Sequence, residues 1–247
     1  MFTTNLFAKA SHPALSAASI SDMSVADIVA LTKSSYSMSE LASDSAARQA
    51  ALAKLSAAYG SSADSASAQA AAMAAATIII QTDPDAAQFS ASAISLITTL
   101  PFSSSTTPTD VVTAIIGALP PDISSQISPG SQPPAAFVQM VADFESSNST
   151  FEALSAGLTA TGGTYADASV GADQRMAMAS DGAISALISD VQPTNGQSTA
   201  DALWAAICDP STASSELSVD PGAISSSTGS LAGLLAAAGL TLPGSSS

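Results

Sequence analysis

From Met23 onward, apolar positions recur at three- and four-residue spacing, and several of these runs open on a serine, threonine or aspartate placed to cap a helix. Ser24 with Asp27 has the spacing of a capping box, followed by Val25, Ile28 and Val29 on one face. Ser37 with Glu40 repeats the device and opens a helix expected to run to Tyr59 and stop at Gly60. On that helix Leu52, Leu55 and Tyr59 share a stripe, while Asp44 and Arg48 stand at the i,i+4 spacing of an ion pair. From Asp64 to Gln81 the chain is nearly all Ala and Ser before Met73 and the triplet Ile78, Ile79 and Ile80. Alanine on every side predicts a central helix that its neighbours approach closely. The three isoleucines alone would suit a strand, but the long Ala-rich run before them has poor strand propensity.

Asp83 with Pro84 reads as an N-cap and first-turn pair, starting a helix with Phe89, Ala93, Ile97 and Leu100 along one side. Thr107 and Pro108 do the same for Val111, Val112, Ile115, Ile116 and Leu119, with Asp110 favourable in the first turn. Residues 119–134 are rich in Pro, Ser and Gly, which makes them the candidate subdomain boundary or long crossover loop, holding one short turn near Ile123. Phe137, Val138, Val141 and Phe144 mark the next helix. Ser149 and Glu152 are expected to cap another, bearing Phe151, Leu154 and Leu158 and ended by Gly162 and Gly163. Met176, Ile184, Leu187, Ile188 and Val191 continue the pattern from about Asp167, and Ser198 with Asp201 opens a helix carrying Leu203, Trp204 and Ile207. Asp209-Pro210 and Asp220-Pro221 begin short turns, and a last helix carries Leu231, Leu234, Leu235 and Ala238.

The expected class is therefore all-α, an irregular multi-helix bundle or α-solenoid-like stack of about nine to eleven helices. No fixed residue period survives alignment of the capped helices, and Asn195-Gly196 lacks the flanking alternation of a hairpin. Residues 1–22 mix Thr, Asn, Ser and Pro without helical period and read as an N-terminal tether or extended segment. Residues 23–243 read as a single helical domain and 244–247 as a frayed tail.

Composition narrows the function. Apolar residues make up 47% of the 247-residue chain but aromatics only 4%, so the interior is built from small and aliphatic side chains. Charged residues are 10%, well below the roughly 25% usual in soluble domains, so Ser, Thr, Asn and Gln must supply much of the solvated surface. The basic residues Lys9, Lys33, Arg48, Lys54 and Arg175 face twenty acids, for a net charge of −15. A chain so poor in cations has little with which to displace counterions from a phosphate backbone or to approach an anionic bilayer, which argues against nucleic acid as a partner. The longest apolar run, Ala70 to Ile80, is eleven residues, too short for the ~20 a membrane span needs. The first twenty residues carry no basic n-region followed by an apolar h-region.

Candidate chemistry is sparse. His12 is the only histidine, and it lies in the expected tether, so a triad built on it would require that tether to dock in a cleft. Cys208 is the only cysteine and sits in an apolar run, where it reads as a small buried hydrophobe. One His and one Cys give no zinc spacing, and no loop has the alternating acids of an EF-hand. Asp83 and Asp85 are accounted for by helix capping. Gly162-Gly163 follows a helix and lacks the lysine of a phosphate-cradling loop. Asn148-Ser149-Thr150 matches a glycosylation acceptor but doubles as the capping box, and Met140, Met176 and Met178 read as core filling before they read as an adaptable groove. No catalytic, cofactor-binding or metal-binding residue is expected, and no cofactor.

Phe2-Thr3-Thr4-Asn5-Leu6-Phe7-Ala8, the polar stretch after it, and Ala46-Ala47-Arg48-Gln49-Ala50-Ala51-Leu52 through Tyr59 resemble the mature part of bacterial helical lipoproteins of the spirochaete type. The resemblance runs to about residue 100. It implies that Met1 stands where such proteins carry a lipidated cysteine, with residues 2–22 as the tether and a lipid supplying the membrane affinity. This chain departs from that pattern in having no Cys at position 1. The expectation that follows is a non-enzymatic, exported helical scaffold or protein-interaction module, periplasmic or at the cell surface. Its partner would be another protein or copies of itself. The alternatives are a self-assembling structural subunit of a surface layer, filament or virion, and a small-molecule or lipid carrier.

Overall fold

Side-chain oxygens of Ser24, Asp83, Thr107 and Ser198 tie up first-turn amides of their helices at the expected places, and the fold is all-α. The computed structural model describes residues 14–57, 65–97, 106–165, 170–219 and 231–240. α1 (Ala17–Asp22) starts at Ser16, which forms a reciprocal capping box with Ser19, and it buries Ile20 completely. The docked body therefore reaches into the stretch expected to be an extended tether; Met1 and His12 lie outside the described residues. α2 (Val25–Leu31) begins at the Ser24–Asp27 box.

The single helix expected from Ser37 to Tyr59 is two helices. α3 (Ser35–Ser43) starts earlier, capped by Ser34, whose hydroxyl accepts from the Ser37 amide at 3.3 Å. It ends at Asp44, where the backbone is extended (φ −127°, ψ 97°). Asp44 Oδ1 then accepts from the Ala47 amide at 3.0 Å and so starts α4 (Ser45–Ala57). Tyr59 and Gly60 lie outside the described residues.

α5 (Ser65–Thr82) and α6 (Pro84–Ile97) meet at Asp83, whose Oδ1 accepts from the Ala86 amide at 2.9 Å, the expected cap. Phe89 is buried on α6; the side chains of Ala93 and Ile97, and all of Leu100, lie outside what the structure describes. α7 (Pro108–Ala118) opens on a Thr107–Asp110 box, and α8 (Pro121–Ser124) is the short turn that buries Ile123. α9 (Ala135–Ala160) runs unbroken through Ser149, where a new helix was expected. No Gly or Pro interrupts the chain from Ala135 to Ala156, and Asn148 Nδ2 donates to Glu152 Oε1 at 3.2 Å as a pair one turn apart. The apparent capping box is thus a mid-helix contact.

α10 (Ala172–Asp190) leads into β1 (Val191–Pro193), and α11 (Thr199–Cys208) starts at Ser198, which accepts from the Asp201 amide. A 3-10 turn over Pro210–Thr212, begun by Asp209, joins α12 (Ala213–Glu216) and β2 (Leu217–Val219). β1 and β2 pair antiparallel, Val191 opposite Val219 and Pro193 opposite Leu217; α11 and α12 stand between them in sequence, so the ribbon is no hairpin. α13 (Ala232–Ala237) carries buried Leu234 and Leu235. The starts expected at Asp167 and Asp220-Pro221, and the tail from Gly244, lie outside the described residues.

The centre of the fold is α9. About 39 Å long at 26 residues, it buries Phe137, Phe144, Phe151 and Leu158 and receives α4, α5, α10 and α13 along its length. The Ala-rich α5 packs on α2, α3, α4, α6, α9 and α10, but it is not lined on every side: Ala66 and Ile80 are exposed, and Ala70, Met73 and Thr77 are only half-buried. Among the described residues no helix is long and apolar enough to cross a membrane.

Candidate functional site

Two buried ionisable clusters lie within the helix packing. Arg48, on α4, points away from Asp44 and into the protein. Its Nε donates to Asp143 Oδ2 on α9 at 2.8 Å, its Nη1 donates to the Thr82 carbonyl at 3.1 Å, and its Nη2 lies 3.6 Å from Asp83 Oδ2. Gln139 Nε2 donates to the other oxygen of Asp143 at 2.9 Å. Asp83 thus has a second role beyond capping α6. Burial pushes the Asp143 carboxyl up to about 7 and the neighbouring Asp83 pushes the same way, against the pull of Arg48. One guanidinium serves two carboxylates and ties α4, the α5–α6 junction and α9 together.

The second cluster has no cation. Asp181, fully buried on α10, takes a hydrogen bond on Oδ1 from Ser90 of α6, while its Oδ2 has no partner. Ser180 Oγ donates to the Ser90 carbonyl at 2.6 Å. Burial pushes the Asp181 carboxyl up to about 7. Hydroxyl contacts extend the polar interior. Ser147 and Ser185 meet at 3.0 Å across α9 and α10, and Ser56 of α4 bonds the Ser146 carbonyl and lies 3.0 Å from Thr150 Oγ1. With their acids sealed from solvent, both clusters hold helices together and offer no surface to a substrate.

The open face of α5 is different. Ala66, Ala70, Met73, Thr77 and Ile80 follow one another at spacings of four, three, four and three residues, which keeps them on one face. Two clefts run along this face and share Met73 and Thr77. The first, about 480 Å³, is walled by Val29, Thr32 and Lys33 at the end of α2; the second, about 190 Å³, by Gln174, Ala177 and Met178 of α10. Thr32 Oγ1 donates to the Val29 carbonyl at 2.8 Å and Thr77 Oγ1 to the Met73 carbonyl at 2.6 Å, so both hydroxyls turn back onto their own helices. α5 itself carries no ionisable side chain.

Among the described residues that line this groove, Lys33 alone carries a charge. Among the described residues, Arg48 is held by Asp83 and Asp143, Lys54 donates to the Ser21 carbonyl, and Arg175 donates to the Val170 carbonyl at 3.1 Å and stacks over Tyr165. The exposed ammonium of Lys33 is the only cation there without a hydrogen bond or ion pair.

A third cleft, about 490 Å³, lies between Pro129–Pro133 and α11. Trp204 Nε1 donates to Ser131 Oγ at 3.1 Å, the indole packs on Phe137 at 5.1 Å, and Ser131 Oγ is 3.3 Å from Cys208 Sγ. Cys208 is therefore half-buried at a cleft wall instead of sealed in the core. Asp201 and Asp209 beside it are engaged by Ser198 and Ser211 as caps. Met140 and Met178 fill the core as expected, and Met176 is half-buried.

Comparisons of the chain with family models, with curated proteins and with solved structures find no match. The reading of function therefore rests on the residues themselves. The α5 face was readable in principle from its four-three alternation, which an Ala-rich background masked; the inward turn of Arg48 had no local signal.

Proposed function

We propose that this protein is a non-enzymatic helical scaffold whose working surface is the grooved face of α5, presented to another protein. The observation that carries it is the five-residue stripe Ala66, Ala70, Met73, Thr77 and Ile80, left open between walls from α2 and α10 while the other faces of α5 are packed. A helix face that is uncharged, apolar and walled is what protein partners use. The interior acids, which would be the first suspects for acid–base chemistry, are spent on joining helices. In this reading the protein is exported, at the cell surface or in the periplasm, in keeping with its charge-poor surface and the lipoprotein resemblance. The codons upstream of Met1 test that part.

The surface is tested by replacing Met73 with photoreactive p-benzoylphenylalanine in the native host, with Val138, 41% exposed on α9, as the control position. Crosslinks to a defined partner from position 73 and none from 138 are expected. Equal yields from both positions, or none from 73, would overturn the assignment. Crosslinks to a second copy would point to a self-assembling subunit in place of the scaffold.

A further inference from the structure

Resting on that reading, we propose that the occupant of the α5 groove is an amphipathic α-helix of a partner protein that places a carboxylate opposite Lys33. The alternation of four and three residues along α5 is the spacing with which one helix receives the knobs of another. From Ala66 to Ile80 the stripe covers about 21 Å of helix axis, enough for four turns of a partner. Alanine at the first two positions lets a second backbone approach closely. The two clefts along the stripe, which share Met73 and Thr77, provide the hollows for larger side chains. An extended peptide would match a period of two, which this face does not have.

Charge sets the register. In a chain of net charge −15 the unpaired ammonium of Lys33, at the wall of a groove whose other described lining residues are uncharged, favours one acidic side chain at that end. A second copy of α5 would not supply it, because Ser65–Thr82 contains no acid. The partner is thus a helix with a small or aliphatic seam flanked by Glu or Asp.

The probe is a synthetic eighteen-residue helical peptide with Leu and Ala at four-three spacing, a single Glu beside the seam and a neutral dye, together with a twin bearing Lys in place of Glu. Both are titrated into the full chain by fluorescence anisotropy. The Glu peptide should bind about fivefold more tightly than its twin, and Lys33→Glu, at an exposed position, should reverse that order. Ala70→Glu should abolish binding of both, with circular dichroism used to establish that this variant is folded. An order unchanged by Lys33→Glu would overturn the proposal. So would a failure of both peptides to bind while position 73 still crosslinks to a partner, an outcome that leaves the scaffold reading standing.

Discussion

Arg48 Nε donates to Asp143 Oδ2 at 2.8 Å across 95 residues of chain, with both side chains buried. Removing the cation leaves two carboxylates facing one another without compensation, and breaking a buried pair from one side costs about 3–5 kcal/mol. Arg48→Met should therefore lower the stability measured by urea unfolding by about that amount at neutral pH. The deficit should be largest at pH 8 and shrink as the pH falls, because loss of Arg48 removes the pull that lowers the Asp143 carboxyl and lifts it above about 7, where a proton neutralises it. Arg48→Met combined with Asp143→Leu should recover part of the loss at neutral pH.

Asp181 gives a pH dependence of defined sign. Its folded-state value of about 7 lies above the ordinary carboxyl value near 3.9, so the fold binds the proton more tightly than the open chain does. The stabilisation is fully present below about pH 4 and is lost as the pH rises through about 7. Asp143 works in the same direction. Relief of the net charge of −15 also favours the folded state on acidification, so the comparison with a variant is what isolates the residue. Urea midpoints at pH 5 and pH 8 should differ less in Asp181→Asn than in the parent, with the parent more stable at pH 5.

Gly233 marks a close approach of α13 to α9. A Cβ at this position would lie 2.6 Å from the Ser155 carbonyl oxygen and 2.8 Å from the Thr159 amide nitrogen, backbone atoms that cannot swing aside. At Gly182 the shortest contact would be 2.7 Å to Leu234 Cδ2, the end of a flexible side chain. Gly233→Ala should cost about 1–3 kcal/mol in thermal or urea unfolding, and more than Gly182→Ala.

Trp204 is the only tryptophan, so its emission reports one place. Ser131→Ala removes the acceptor of the indole N–H and should cost about 1–3 kcal/mol by leaving that donor without a partner. It should also shift the emission maximum of the folded protein. An emission spectrum identical to that of the parent would show that the hydroxyl does not set the indole's environment.

Local chemistry was the legible part. The caps at Ser24, Asp83, Thr107, Ser198 and Asp209 stand where the sequence puts them, because each is decided by residues within one turn. Where two local readings competed, the pattern misled. Asp44 is at once a partner spaced for Arg48 and a residue able to break a helix and start the next, and only the pull of Asp143 on the guanidinium decides between them. Ser149 and Glu152 have cap spacing, but nothing stops the helix before them. Ser147, Thr150, Ser155, Ser180 and Ser185 read as solvated surface, yet all are buried. Small hydroxyls can bond a helix carbonyl or one another, so they enter a core at little cost, and sequence period cannot separate them from surface serines.

The position of α9 orders events during synthesis. α4 and α5 both rest on this helix, whose last turn is not made until residue 160, so for much of translation the faces they turn toward it stay uncovered. Arg48 emerges from the ribosome long before Asp143. Closure of the core over the first helices thus waits for residues 135–160, and during that interval the apolar faces of α4 and α5 that α9 will cover are open to chaperones.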